Sequence, residues 1–139
     1  MVLPKIIQHL NTRLSEPLPG LESQIRMSPS KRFARPDPPN TPIPAAVLIL
    51  LFPDEDSWRF FLTERTLEVE YHQGQISLPG GAREKEESLA EAAIRETQEE
   101  LGISETPEIM GRLSQLHIPV SGFEVSPFLG WVSDRPEID

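Results

Sequence analysis

One stretch constrains this chain more than any other: residues 78–103, LPGGAREKEESLAEAAIRETQEELGI. Its leading Leu78-Pro79-Gly80-Gly81 reads as a turn, because paired glycines accept backbone angles that a Cβ disfavours. Ser88 with Glu91 three residues later predicts a capping box, and so the start of a helix. Gly102 predicts its end in a left-handed cap. At 100° per residue, Ala90, Ala93, Ile94, Thr97 and Leu101 share an arc of about 100°, the width of a core-facing stripe. Glu96, Glu99 and Glu100 share the arc beside it.

That second arc carries an electrostatic penalty. Glu96 and Glu100, four apart, repel by a few tenths of a kcal/mol. All three carboxylates also crowd the helix C-terminus, where the macrodipole disfavours anions. A hard divalent cation removes both penalties, since carboxylate oxygens are the ligands that Mg²⁺ or Mn²⁺ prefers. A solvated acidic face is the alternative for a glutamate pair taken alone.

The pattern is more than a pair. Gly81, five residues, Glu87, seven residues, then Arg95-Glu96-Thr97-Gln98-Glu99-Glu100-Leu101-Gly102-Ile103 resembles the signature box of the Nudix hydrolases. Each fixed Gly, Glu and Arg of that signature stands at its spacing over residues 81–103. Thr97 departs from it, standing where the family usually has an aliphatic side chain. Thr has nearly the shape of Val but adds a hydroxyl, so a small packing effect is expected.

With 139 residues, the chain has the length of one domain. It has no Cys, which excludes disulfides, thiolate metal sites and Cys nucleophiles and agrees with a reducing cytoplasm. No signal peptide is read at the N-terminus. The longest apolar run, residues 45–52, is too short to span a bilayer. The net charge of −9 argues against a nucleic-acid surface, which needs a basic stripe. Phosphate esters still suit an acidic protein when cations bridge the two.

Along the chain, Leu3, Ile7, Leu10 and Leu14 predict a short amphipathic N-terminal helix with Pro4 in its first turn. Residues 17–44 carry many prolines and the basic cluster Lys31, Arg32 and Arg35, and read as a linker that wraps the domain. This gives residues 1–43 as helix and linker and residues 44–139 as the catalytic-type domain. Residues 45–52 (AAVLILLF) predict a strand buried on both faces. A turn at Pro53-Asp54-Glu55-Asp56-Ser57 leads to a second, antiparallel strand over residues 58–63. Residues 109–118 and 123–132 predict two more strands, and His117 reads as a surface or packing histidine.

A second resemblance lies upstream of the box. Leu62-Thr63-Glu64-Arg65-Thr66, Gly74-Gln75 and Pro79-Gly80-Gly81 are similar to the extra signature of the coenzyme A pyrophosphatase subfamily. Val120-Ser121-Gly122-Phe123-Glu124-Val125-Ser126-Pro127 is similar to the same subfamily beyond the box. Glu70 stands where that subfamily has Arg, and Leu78 where it has Phe.

The resemblance implies an α/β fold, a Nudix α/β/α sandwich with a mixed sheet. Its usual closing C-terminal elements are not found before Asp139, which leads to the expectation of a truncated domain or a homodimer. It implies Mg²⁺- or Mn²⁺-dependent hydrolysis of a nucleoside diphosphate derivative by water, with metal ions neutralising the phosphates. Coenzyme A or acyl-coenzyme A would be cleaved to 3′,5′-ADP and a phosphopantetheine. ADP-ribose, an oxidised nucleotide or a dinucleoside polyphosphate is the alternative substrate, and a non-catalytic nucleotide-binding module the alternative class. By the same resemblance Glu96, Glu99 and Glu100 would ligate metal with the Gly80 carbonyl, and one of them or a Glu of another loop would be the base. Arg95 would orient these carboxylates, having Glu91 and Glu99 each four residues away. Glu87, with Gly81 and Gly102, would support the loop–helix junction or a metal-bound water. Arg65, Gln75 and His72 would contact substrate. The expected partner is a small nucleotide, with neither nucleic acid nor membrane.

Overall fold

The computed structural model describes residues 2–27, 41–64, 74–118 and 121–139. Arg65, Glu70 and His72, like the basic cluster around Arg32, lie outside the described residues.

The centre of the fold is β1 (Ile43–Asp54), the apolar run extended by two residues at each end. Alternate side chains of a strand point to opposite faces, so Ala46, Leu48, Leu50 and Phe52 share one face. All four are buried, and they pack with Ala92, Ala93, Leu101 and Ile103. β1 pairs in parallel with β8 (Phe123–Trp131) and antiparallel with β2 (Ser57–Phe60). The two-residue loop between β1 and β2 holds Glu55 at φ 53°, a left-handed conformation such tight hairpins need. β6 (Glu108–Arg112) and β7 (Leu116–Ile118) both pair antiparallel with β8, giving a mixed six-stranded sheet. The expected strand over residues 109–118 is thus two strands, interrupted at residues 113–115.

The segment 58–63 also divides. β2 ends at Phe60, and β3 (Thr63–Glu64) leaves to pair with β4 (Ile76–Ser77) in a separate two-stranded sheet. Phe61, between them, stacks on Phe52 at 4.4 Å between ring centroids, which ties this departure to the core. On the opposite face, Trp58 meets Trp131 edge-on at 6.5 Å.

The glycine pair at 80 and 81 corrects a sequence expectation. It is not a turn but β5 (Gly80–Ala82), paired antiparallel with β1. Neither glycine has a positive φ. What excludes a side chain at Gly80 is space, because a Cβ there would collide with the Ala46 carbonyl and the Val47 backbone.

Helix α3 (Leu89–Leu101) begins and ends as the sequence predicts. Ser88 Oγ accepts from the Glu91 amide at 3.1 Å, while the Glu91 carboxylate accepts from the Ser88 amide at 2.7 Å. Gly102 closes the helix at φ 65°, ψ 29°. Thr97 is fully buried, and its hydroxyl donates to the Ala93 carbonyl at 2.7 Å. The departure from an aliphatic residue therefore leaves no unsatisfied polar atom.

The N-terminal helix α1 (Lys5–Leu14) is present, with Pro4 as its N-cap and Ile7 fully buried. Its Leu14 lies over Gly111 of β6. A second helix, α2 (Gly20–Met27), lies within the stretch read as linker. Its residues after Gly20 are ordinary helix formers, and the Glu22–Arg26 pair supports one turn. Tertiary bonds hold it: the Gly20 amide donates to Ser114 Oγ and the Gln24 amide group to the Gln115 carbonyl. After β8 the chain returns to α3, where the Asp139 amide donates to the Leu101 carbonyl at 3.3 Å. Among the described residues no helix is long and apolar enough to cross a membrane.

Candidate active site

α3 crosses β5 and β1 on the face carrying Ala46, and the site forms where its second arc meets β5. Gly81 is the point of closest approach. A Cβ on Gly81 would stand 2.7 Å from Glu96 Oε1 and 2.8 Å from its carboxyl carbon. The missing side chain is thus the seat of the Glu96 carboxylate. Sequence reading assigned Gly81 to backbone freedom; the contact that fixes it is between elements and has no local signal.

Arg95 organises the carboxylates. Its Nε donates to Glu87 Oε2 at 2.7 Å and its Nη2 to Glu87 Oε1 at 3.0 Å, a two-pronged pair. Nη1 donates to Glu96 Oε1 at 3.0 Å and to Glu99 Oε2 at 3.3 Å. Nη2 also reaches the Ala82 carbonyl, and Glu84 lies 3.6 Å from Nη1. One guanidinium therefore links β5, the loop before α3, and two glutamates of the acidic arc. The expectation that Glu91 is one of its partners is corrected, since that carboxylate is used in the helix cap.

These bonds favour the charged forms of both partners. The Arg95 hydrogen bond, then the Glu84 amide donating to Oε1 at 3.0 Å, hold the Glu87 carboxyl below its ordinary pKa. Arg95 is raised in turn, chiefly by its bond to Glu87. Glu87 lies just before the Ser88 cap of α3. Glu96 is half-buried, whereas Glu99 and Glu100 are exposed on the same side of α3.

A hard divalent cation fits this donor set in kind. The carboxylates of Glu96, Glu99 and Glu100 supply anionic oxygens, and Gly81 leaves Glu96 room to lie against the β5 main chain beside Gly80. Among the described residues no three acidic, His or Cys side chains already stand as a ligand set. Glu96 and Glu99 are instead held by Arg95. Gln75 is exposed just before β4, and no described hydrogen bond or ion pair ties it to Glu96 or Glu99. His117 sits half-buried on β7 with its Nδ1 buried and without a hydrogen-bond partner, a feature its sequence context does not announce.

The chain is similar to known proteins over most of its length. Nudix hydrolase 3 of Caenorhabditis elegans is 31% identical over 114 residues, covering 81% of this chain and 47% of its own length. Nudix hydrolase NudL of Pectobacterium atrosepticum is 36% identical over 112 residues, covering 79% of this chain and 55% of its own. The chain thus spans about half the length of these relatives. The crystal structure of an Ap4A hydrolase from C. elegans superposes with a TM-score of 0.58 at 22% identity, over 71% of this chain and 76% of that one, and shows the shared fold. A family model described as the NUDIX domain matches residues 42–133, which include the sheet, α3 and all of the acidic arc, and the chain belongs to that family.

Proposed function

We propose that this chain hydrolyses the diphosphate linkage of a nucleoside diphosphate derivative, using a divalent cation held on α3. The observation that carries the reading is the Glu96 carboxylate seated on Gly81 and steered by Arg95. Nudix hydrolases generally use divalent ions, and Mg²⁺ or Mn²⁺ held by Glu96, Glu99 and Glu100 would supply charge neutralisation at the phosphates. The protein's part is positional. Arg95 fixes two of the three carboxylates, and the capped, buried α3 fixes Arg95. In the reaction a water oxygen bonds to one phosphorus while that phosphorus's bond to the bridging oxygen breaks. The water's proton passes to a carboxylate, for which the acidic arc supplies the candidates.

Coenzyme A or its acyl derivatives are the substrates this reading favours. Support comes from the motif around Leu62, Gly74 and Pro79 and from the segment 120–127. Product analysis tests it: coenzyme A should give 3′,5′-ADP and a phosphopantetheine, faster than ADP-ribose or a dinucleoside polyphosphate is cleaved. Glu100→Gln should lower kcat by roughly 10²-fold for whichever substrate is cleaved. Full activity in that variant refutes the assignment of the acidic arc to catalysis. Faster cleavage of the other nucleotides refutes coenzyme A alone.

A further inference from the structure

The strand registers extend the face on which Glu96 sits. Gly81 of β5, Ala46 of β1 and Ser126 of β8 are aligned, and Gln115 donates to Ser126 Oγ at 3.2 Å, continuing the row. Side chains of registered partners share a face, and a face repeats every second residue. The next row toward the start of β1 therefore holds Pro44, Glu124 and His117, from β1, β8 and β7 in order. All three stand on the side of the sheet occupied by α3.

Two of these three have unused hydrogen-bonding capacity. The half-buried Glu124 side chain has no hydrogen bond or ion pair among the described residues, and His117 Nδ1 is buried without a partner. They are cross-strand neighbours, yet no ion pair joins them. A buried acceptor left unpaired, as His117 Nδ1 is, calls for an explanation, whereas the Glu124 oxygens beside it are open to solvent and so to a ligand. Pro44, the registered neighbour of Glu124, also lines an open pocket of about 410 Å³ with Arg83, Glu84, Lys85, Glu86 and Glu87. That pocket shares Glu87 and Glu84 with the Arg95 cluster.

Spacing sets what Glu124 can touch. Two strand-to-strand steps and two residues of rise place its Cα about 12 Å from Gly81, where the Glu96 carboxylate rests. Side chains stand roughly perpendicular to the sheet, so a phosphorus held at Glu96 is out of its reach. A carboxylate would also repel phosphate oxygens. Its complement is an uncharged donor, a hydroxyl or an amine.

Resting on the pyrophosphohydrolase reading above, we propose that Glu124 and His117 form the recognition wall for the nucleoside part of the substrate. Glu124 takes a hydrogen bond from the ribose 2′-hydroxyl or a nucleobase amine, with His117 packed beside it, across Pro44 from the pocket beside the acidic arc. The diphosphate lies at α3, and the sugar and base lie over β8 and β7.

The test is calorimetric binding, with Mg²⁺ present, of ADP, 2′,3′-dideoxy-ADP, IDP and inorganic pyrophosphate to the wild type, Glu124→Ala and Glu124→Gln. The wild type should bind ADP about tenfold more tightly than one of the two analogues, the value of one good hydrogen bond, and which analogue loses affinity names the donor. Glu124→Ala should erase that preference and leave pyrophosphate affinity unchanged. Glu124→Gln, which keeps the shape and one acceptor, should retain part of it. An unaltered preference in both Glu124 variants, equal wild-type affinity for all three nucleotides, or an equal loss for pyrophosphate overturns the proposal. A wild type that prefers ADP but cleaves no nucleotide refutes the hydrolase reading and leaves this wall standing as a binding site.

Discussion

Replacing Gly80 and Gly81 one at a time with Ala separates folding from chemistry. The two glycines are adjacent, yet an added methyl meets different things. At 80 it collides with the Ala46 carbonyl and the Val47 backbone, neither of which moves without breaking the β1–β5 ladder. Overpacking against rigid backbone costs typically 1–3 kcal/mol, and this contact is closer than most, so about 3 kcal/mol is expected. At 81 the methyl meets the end of a flexible side chain, with Glu96 Oε1 at 2.7 Å. The carboxylate can swing away, giving up its 3.0 Å bond to Arg95 Nη1. That pair is about a fifth exposed on each side, so its loss costs about 1 kcal/mol. A displacement near 1 Å at a reacting centre lowers turnover on the order of 10²-fold. Urea unfolding and nucleotide-hydrolysis kinetics on the same preparations read the two effects. Gly80→Ala should lose stability first, and Gly81→Ala should keep its fold and lose kcat. Wild-type kcat in Gly81→Ala refutes the claim that this seat positions Glu96. An unchanged unfolding midpoint in Gly80→Ala refutes the close approach of β5 to β1.

Arg95→Lys should destabilise by about 2 kcal/mol despite the retained charge, because an ammonium cannot pair with both Glu87 oxygens while also reaching Glu96 and Glu99; equal unfolding midpoints would contradict this. Glu87 supplies a pH signature. Its folded pKa lies below its ordinary value of 4.5, so the folded state binds that proton less readily than the unfolded chain. Its stabilisation is full above about pH 4.5 and disappears as pH falls through the lowered value; the stability gap between wild type and Glu87→Gln should close on acidification, and a gap constant to pH 3 would refute the linkage. Glu86 holds φ 67° without being Gly, so Glu86→Gly should stabilise by about 0.5 kcal/mol, and a loss of stability would show that its side chain does more than occupy the turn.

What the sequence disclosed follows from the range of the forces involved. Helix α3 was legible to the residue because its signals are local: Ser88 and Glu91 at one end, Gly102 at the other, and a stripe of period 3.6 between them. β1 was legible because a short apolar run after Pro44 has few other ways to be buried. The glycine pair was misread because the same dipeptide serves a turn or a close strand crossing, and only the partner strand distinguishes them. α2 was missed because the prolines around it dominate local composition, while the bonds to Ser114 and Gln115 that hold it come from residues about 90 positions away. The acidic arc was legible by spacing. Its steering was only partly so, since Glu87 lies before the helix begins and its pairing with Arg95 depends on how the loop folds back. Glu124 and His117 drew no attention as a pair, because strand register brings them together and no one-dimensional spacing encodes it.

The central claim is that the α3 carboxylates hold the divalent ion that diphosphate cleavage requires. The most direct measurement is the initial rate of nucleotide cleavage as a function of Mg²⁺ concentration, for the wild type and for Glu96→Gln. Cleavage should be absent in chelator and should rise to saturation with Mg²⁺. The Glu96→Gln curve should saturate at a Mg²⁺ concentration at least about tenfold higher, the expected cost of one charged ligand to a hard cation. Cleavage that persists in chelator, or a Mg²⁺ curve that Glu96→Gln leaves in place, would contradict the account.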